Sequence, residues 1–85
     1  FALYPSSGEI NFEVKNKEQV LDKIAAHFKD ARETKWIDGF TMYYDDWWAN
    51  VRLSNTEPLV RLNLEARSKE VLNAKLAELK KLIQS

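Results

Sequence analysis

Hydrophobic and polar positions alternate most cleanly over residues 59–66, where Val60, Leu62, Leu64 and Ala66 fall on one side of an extended chain. Successive side chains of a strand point to opposite faces, so this run predicts a strand with one buried face. Residues 47–53 repeat the pattern, with Trp47, Ala49, Val51 and Leu53 opposed to Trp48, Asn50, Arg52 and Ser54. Residues 9–14 do so more briefly, through Ile10, Phe12 and Val14. Two short strands are expected at 35–37 and 40–44, joined through Asp38-Gly39, a pair that favours a tight reversal. Asp45-Asp46 forms the next turn.

Two segments carry helical spacing instead. Asn16 with Gln19 three residues on makes a capping-box pattern, and Val20, Ile24 and Phe28 then recur on one face beside Leu21 and Ala25. This helix should fade near Ala31 or Arg32. Ser68 caps a last helix whose apolar stripe is Leu72, Leu76, Leu79 and Ile83. Lys80 and Lys81 near its end suit the helix dipole. Residues 1–8 read as a linker, because Pro5, Ser6, Ser7 and Gly8 are turn formers without periodicity. Residues 9–85 form the folded domain.

The order strand, helix, three or four strands, helix predicts an α+β fold. Two amphipathic helices need a surface to cover, and a mostly antiparallel sheet needs one face covered. A two-layer domain of four to five strands with both helices on one face satisfies both needs.

Composition narrows the function classes. Thirteen basic residues balance thirteen acidic ones, so no global field recruits nucleic acid or an anionic membrane. Without cysteine, disulfides and thiol catalysis are excluded, and a cytoplasmic setting fits. No apolar run approaches a membrane span. The chain opens on Phe1, and it is expected to be a piece of a longer protein.

Candidate chemistry gathers at residues 51–58, Val-Arg-Leu-Ser-Asn-Thr-Glu-Pro. The Arg52 guanidinium is a planar fork of donors that matches two phosphate oxygens. Ser54 and Thr56 add hydroxyl donors. Asn55 tolerates a left-handed backbone, so the loop could turn main-chain N–H groups inward as a nest. The Glu57 carboxylate would repel a phosphate. It is read as a loop organiser, accepting from backbone N–H groups or from Arg61, and Pro58 cannot donate to a ladder. Residue chemistry alone leaves two readings: a phosphate site, or an ordinary polar connection with Arg52 paired to a nearby acid.

The run Arg-x-Ser-Asn-Thr-Glu-Pro resembles the phosphate-binding loop of the C-terminal domain of the α-D-phosphohexomutases. Its flanks extend the resemblance. Residues 4–12, Tyr-Pro-Ser-Ser-Gly-Glu-Ile-Asn-Phe, are similar to the start of that domain. Residues 46–52 and 59–66 are similar to the bacterial phosphomannomutase branch. Asn55 stands where phosphoglucosamine mutases usually carry Gly.

The resemblance implies a TATA-binding-protein-like α+β fold, the last (fourth) domain of a phosphomannomutase or phosphoglucomutase. It implies that Arg52, Ser54, Asn55 and Thr56 grip the non-reacting phosphate of a hexose phosphate. The partners implied are that phosphosugar and other domains of the same chain, with no nucleic acid and no membrane. The parent enzyme would carry magnesium and a phosphoserine. This chain has neither a phosphoserine loop nor an aspartate-rich metal loop, and Asp45-Asp46 is no substitute, so it should hold no cofactor and show no mutase activity alone.

Other features have plain readings. Trp47-Trp48 should place one ring in the core and one partly outside. His27 has no partner at metal-ligand spacing and is expected at the surface or boundary. The rival class is a noncatalytic α+β module that binds RNA or protein, with Tyr43 and Trp48 as stacking residues. It would call for a basic sheet surface.

Overall fold

A computed structural model of the chain describes residues 4–85. Five strands and two helices follow one another as β1 (Ser6–Glu13), α1 (Lys17–His27), β2 (Glu33–Lys35), β3 (Phe40–Tyr43), β4 (Trp47–Leu53), β5 (Leu59–Ala66) and α2 (Lys69–Gln84). The strands form one antiparallel sheet in the order β1-β5-β4-β3-β2. The fold is the expected α+β arrangement. Residues 1–3 of the expected linker lie outside the described residues.

Alternation dictates which face is covered. Phe40, Met42, Trp47, Ala49, Val51, Val60, Leu62, Leu64 and Ala66 all point to one side and are buried. Val20, Leu21, Ile24 and Phe28 of the first helical segment meet them there, with Leu72, Leu79 and Ile83 of α2. Burial of this apolar surface is the main favourable term in folding. Trp47 is held inside by aromatic contacts, stacked on Tyr44 with centroids 4.6 Å apart and edge-on to Phe28 at 5.5 Å. Trp48 is half-buried on the opposite face. No helix among the described residues is long and apolar enough to cross a membrane.

The helix caps are those read from sequence. The Asn16 side chain accepts from the Gln19 N–H at 3.0 Å, and Ser68 accepts from the Val71 N–H at 3.2 Å. The end of α1 differs, since the helix stops at His27 rather than near Ala31 or Arg32. The sheet competes for the backbone beyond it. The Arg32 N–H donates to the Tyr43 carbonyl at 2.9 Å, and the Tyr44 hydroxyl donates to Asp30 at 2.6 Å. Burial, and then that bond to Asp30, push the Tyr44 pKa up and keep the phenol protonated.

Strand boundaries also move, with β1 ending at Glu13 and β3 at Tyr43, one residue early each. The strand expected at 35–37 lies at Glu33–Lys35, pairing with Thr41–Tyr43. The reversal needs more than two residues, so Trp36 and Ile37 fall in the hairpin tip, 59% and 73% exposed. β1 begins at Ser6, inside the stretch read as linker. Between Ser6 and Glu9 it advances three residues while β5 advances two, from Glu65 to Asn63. The extra residue is a β-bulge, and Gly8 takes the left-handed conformation it needs, at φ 66°. A bulge breaks the period of two, which is why alternation stopped short of it.

His27 lies at the surface, as expected, and meets one carboxylate there. Its Nε2 lies 2.8 Å from Glu78 on α2, and Lys75 donates to the other carboxylate oxygen at 3.3 Å. Burial opposes the charge on Glu78, but the hydrogen bonds from His27 and Lys75 outweigh it and hold this carboxyl below its ordinary value of 4.5. A depressed folded-state pKa contributes stability above the unfolded value, and that stability is lost as pH falls through the folded one. Glu78→Gln should therefore flatten the dependence of the urea midpoint on pH below 4.5. The groups are partly exposed, so the difference should be about 1 kcal/mol or less. Parallel curves for the two proteins would refute the assignment.

Candidate phosphate site

The site lies where β4 ends. Arg52 is the last residue of β4 on the uncovered face of the sheet, and Ser54 follows one turn of the pleat later, buried to 6% exposure. The loop at 54–58 is closed by its own backbone. The Ser54 N–H donates to the Leu59 carbonyl at 3.1 Å, and the Leu59 N–H donates to the Glu57 carbonyl at 2.8 Å. The Glu57 N–H donates to the Ser54 hydroxyl at 3.3 Å. Accepting there leaves the Ser54 hydroxyl proton available to a ligand.

Two further ties anchor the loop. The Lys17 ammonium, in the first turn of α1, donates to the carbonyls of Ser54 and Glu57, the latter at 3.2 Å. The Val14 N–H donates to the Pro58 carbonyl at 2.9 Å. Three hydrogen bonds, two from Lys17 and one from Val14, thus hold the loop against the start of α1 and the end of β1.

This construction differs from the one expected in two respects. Asn55 does not adopt a left-handed backbone: the only non-glycine residue with positive φ among those described is Asp38, at 53°. The Ser54 hydroxyl and Lys17 turn the loop instead. The contacts of Glu57 within the loop run through its own N–H and carbonyl rather than its carboxylate. Arg61 reaches Glu9 rather than Glu57.

Arg52, Ser54, Asn55 and Thr56 line one open cleft of about 620 Å³, together with Arg61 and the Asp38-Gly39 tip of the β2–β3 hairpin. Glu57 and Pro58 lie outside it, on the Lys17 side of the loop. A larger groove of about 910 Å³ runs between the start of α1 and the end of α2, but no arginine lines it, and its Lys23 is tied to the Ser85 hydroxyl at 2.8 Å.

The cleft is lined by two arginines, Arg52 and Arg61, and by one acidic residue, Asp38. Arg52 and Arg61 stand directly opposite on β4 and β5. Like charges facing each other across a ladder repel. The Glu9 carboxylate divides itself between them, one oxygen 3.1 Å from Arg52 Nη2 and the other 3.3 Å from Arg61 Nη1. Arg52 is thus paired with an acid, which was one of the two readings of this loop. The pair is 42% and 41% exposed, and exposed pairs contribute about 0–1 kcal/mol, so a ligand can displace it.

Lys17 carried no signal in the sequence, being one charged residue in a charged chain, and Glu9 lay within the resemblance at residues 4–12 but nothing there linked it to the loop. Gly39 did carry one, in the Asp38-Gly39 reversal. The aromatic pair Tyr43 and Trp48 sits on the same uncovered face, with centroids 6.4 Å apart. The Trp48 indole donates to Glu65 at 3.0 Å. No group of three or more His, Cys, Asp or Glu side chains among the described residues is placed to hold a metal ion, and Asp45 pairs with Arg32.

Residues 9–82 match the phosphoglucomutase/phosphomannomutase C-terminal domain. A phosphomannomutase of Methanocaldococcus jannaschii is 48% identical over 83 residues, which is 98% of this chain and 18% of that protein. A phosphomannomutase of Vibrio cholerae is 40% identical, over 96% of this chain and 18% of that protein. A crystal structure of a phosphoglucomutase/phosphomannomutase family protein from Burkholderia thailandensis superposes with a TM-score of 0.72 at 29% identity, over 95% of this chain and 17% of that one. The chain spans less than a fifth of the length of these relatives.

Proposed function

The chain belongs to the phosphoglucomutase/phosphomannomutase family, as its C-terminal domain, and on that premise we propose that its cleft binds the phosphate of a hexose phosphate. Arg52 is the forked clamp, Ser54 and Thr56 donate hydroxyls, and Asn55 contributes its backbone N–H. The observation that carries this reading is the gathering of Arg52 and both hydroxyl residues along one open cleft.

The phosphate held here is the one that does not react. The longer enzyme would interconvert hexose 6-phosphate and hexose 1-phosphate in the cytoplasm, with mannose or glucose as the sugar. Magnesium and a phosphoserine would belong to its other segments; among the described residues no group of three or more His, Cys, Asp or Glu is placed to hold a metal ion. This domain would position the substrate by closing over it, which lowers the barrier by fixing the reacting groups in place. The 85-residue chain by itself should not catalyse the interconversion.

A phosphate monoester is largely dianionic near neutral pH, with a second pKa of about 6. Hydrogen bonds involving charged groups contribute about 1.5–3 kcal/mol each, and lost translational freedom offsets much of their sum. Binding by the domain alone should be weak, near millimolar, which corresponds to about 4 kcal/mol. Titration with mannose 1-phosphate, followed by amide chemical shifts, should move Arg52 and the residues of the 54–57 loop. Shifts confined to the groove between α1 and α2 would overturn the proposal.

The RNA-binding alternative has less support. Tyr43 and Trp48 stack on each other, and the Glu65 carboxylate beside them would repel a nucleic-acid backbone. Salt-sensitive retention of RNA on a filter would revive it.

A further inference from the structure

Glu9 is not part of the cleft's lining, yet its carboxylate holds both arginines that are. We infer that Glu9 is a built-in competitor for the phosphate: it occupies Arg52 while the cleft is empty and yields Nη2 when a dianion binds. The inference rests on the phosphate-binding reading above and adds the residue that tunes its affinity.

Three observations carry it. First, the Glu9 contact falls on Nη2, an atom that belongs to both paired-donor edges of a guanidinium, so a carboxylate seated there crowds a two-pronged phosphate. Second, Glu9 is aimed by a dedicated backbone feature. The Ser6/Glu9 bulge, with Gly8 at φ 66°, shifts β1 by one residue, and the Ser7 hydroxyl accepts from the Leu64 N–H at 3.0 Å to hold it. Bulges commonly re-aim a neighbouring side chain in this way. Third, Glu9 has somewhere to go. Its second oxygen is bound to Arg61, so releasing Arg52 leaves the carboxylate still paired and avoids stranding a charge. The exchange therefore trades one exposed ion pair for a stronger pair with a dianion.

The same contact has a second consequence. It ties the first strand of the domain to the loop site 43 residues later in the chain. Loss of the Glu9–Arg52 pair on binding changes the hold on the start of β1, at the edge of the sheet.

The test is a titration of the 85-residue chain with inorganic phosphate at low salt, followed by amide shifts, for the wild type and for Glu9→Gln, Glu13→Gln and Arg52→Ala. Gln matches Glu in shape and removes only the charge. Glu9→Gln should lower Kd about two- to fivefold, the range expected for releasing an exposed ion pair. The gap should narrow as salt screens the carboxylate. Glu13 makes no ion pair with Arg52, and its substitution should change nothing. A scaffolding role for Glu9 would show the opposite sign, with weaker binding or none in Glu9→Gln. An unchanged or raised Kd in that variant overturns the inference. If Arg52→Ala abolishes binding while Glu9→Gln leaves it unchanged, only the inference fails. If Arg52→Ala binds phosphate as the wild type does, the phosphate-binding reading itself fails.

Discussion

Arg52→Ala should weaken phosphate binding by this domain at least tenfold while leaving the fold intact. A charge-assisted hydrogen bond is worth about 1.5–3 kcal/mol, and each 1.4 kcal/mol is a factor of ten. In the proposed site, losing both prongs of the fork would remove the largest attractive contribution to a phosphate. The fold should tolerate the change because Arg52 stands on the uncovered face and is 42% exposed. Its removal also relieves the repulsion from Arg61 across the ladder, and Glu9 keeps Arg61 as a partner. Arg52→Lys should recover only part of the loss, since an ammonium is a point charge and cannot present two parallel donors. In the longer enzyme proposed above, the expected effect would be on substrate binding and closure rather than on the chemical step. Thermal midpoints and phosphate titrations on the same samples separate stability from binding. An Arg52→Ala variant with undiminished affinity would remove the clamp from the proposed site.

Gly39→Ala should be the most damaging small substitution in the chain, costing about 2–4 kcal/mol. Gly39 sits at φ 92°, where side chains are strained. A Cβ there would come within 2.3 Å of the Val51 carbonyl oxygen and 2.9 Å of the Arg52 Cα. Both obstacles are backbone atoms of β4, so no side chain can swing aside. A domain of this size has little stability in reserve, since native proteins average about 0.05–0.15 kcal/mol per residue. A melting temperature lower by about 10–20 °C is expected. The folded fraction should also bind phosphate less well, because the strand displaced is the one that carries Arg52. Gly8→Ala is the natural control. Gly8 also has positive φ, but a Cβ on it would meet nothing within 4 Å, so only the conformational strain applies. Its expected cost is about 1 kcal/mol. Equal midpoints for Gly39→Ala and the wild type would show that the hairpin tip does not press on β4 as described.

Both effects meet at one place. The hairpin tip at Asp38-Gly39 packs on the strand backbone directly behind the guanidinium, and the loop at 54–58 is braced by Lys17 from the other side. The cleft is thus shaped by contacts from three separate segments. Preorganisation of this kind reduces the entropy lost when the ligand binds.

Much of this was legible in the chain itself. Strands β4 and β5 were readable to the residue, because a sheet with one covered face imposes a period of two, which β5 obeys throughout and β4 as far as Arg52. The two helix starts were readable because Asn16 and Ser68 satisfy free N–H groups locally. The candidate residues Arg52, Ser54, Asn55 and Thr56 were readable from their chemistry and from the family resemblance, within one short segment. Tertiary structure alone decided the rest. Glu9 meets Arg52 only because β5 lies between β1 and β4, and Lys17 reaches the loop only because α1 folds back beside it. The bulge at Gly8, the early end of α1 and the shifted β2 follow from competition for backbone hydrogen bonds between distant segments. Local patterns record which face a residue must show. They hold no information about which distant charge will stand opposite it, because that depends on strand order and register, and these are settled by the packing of the whole core.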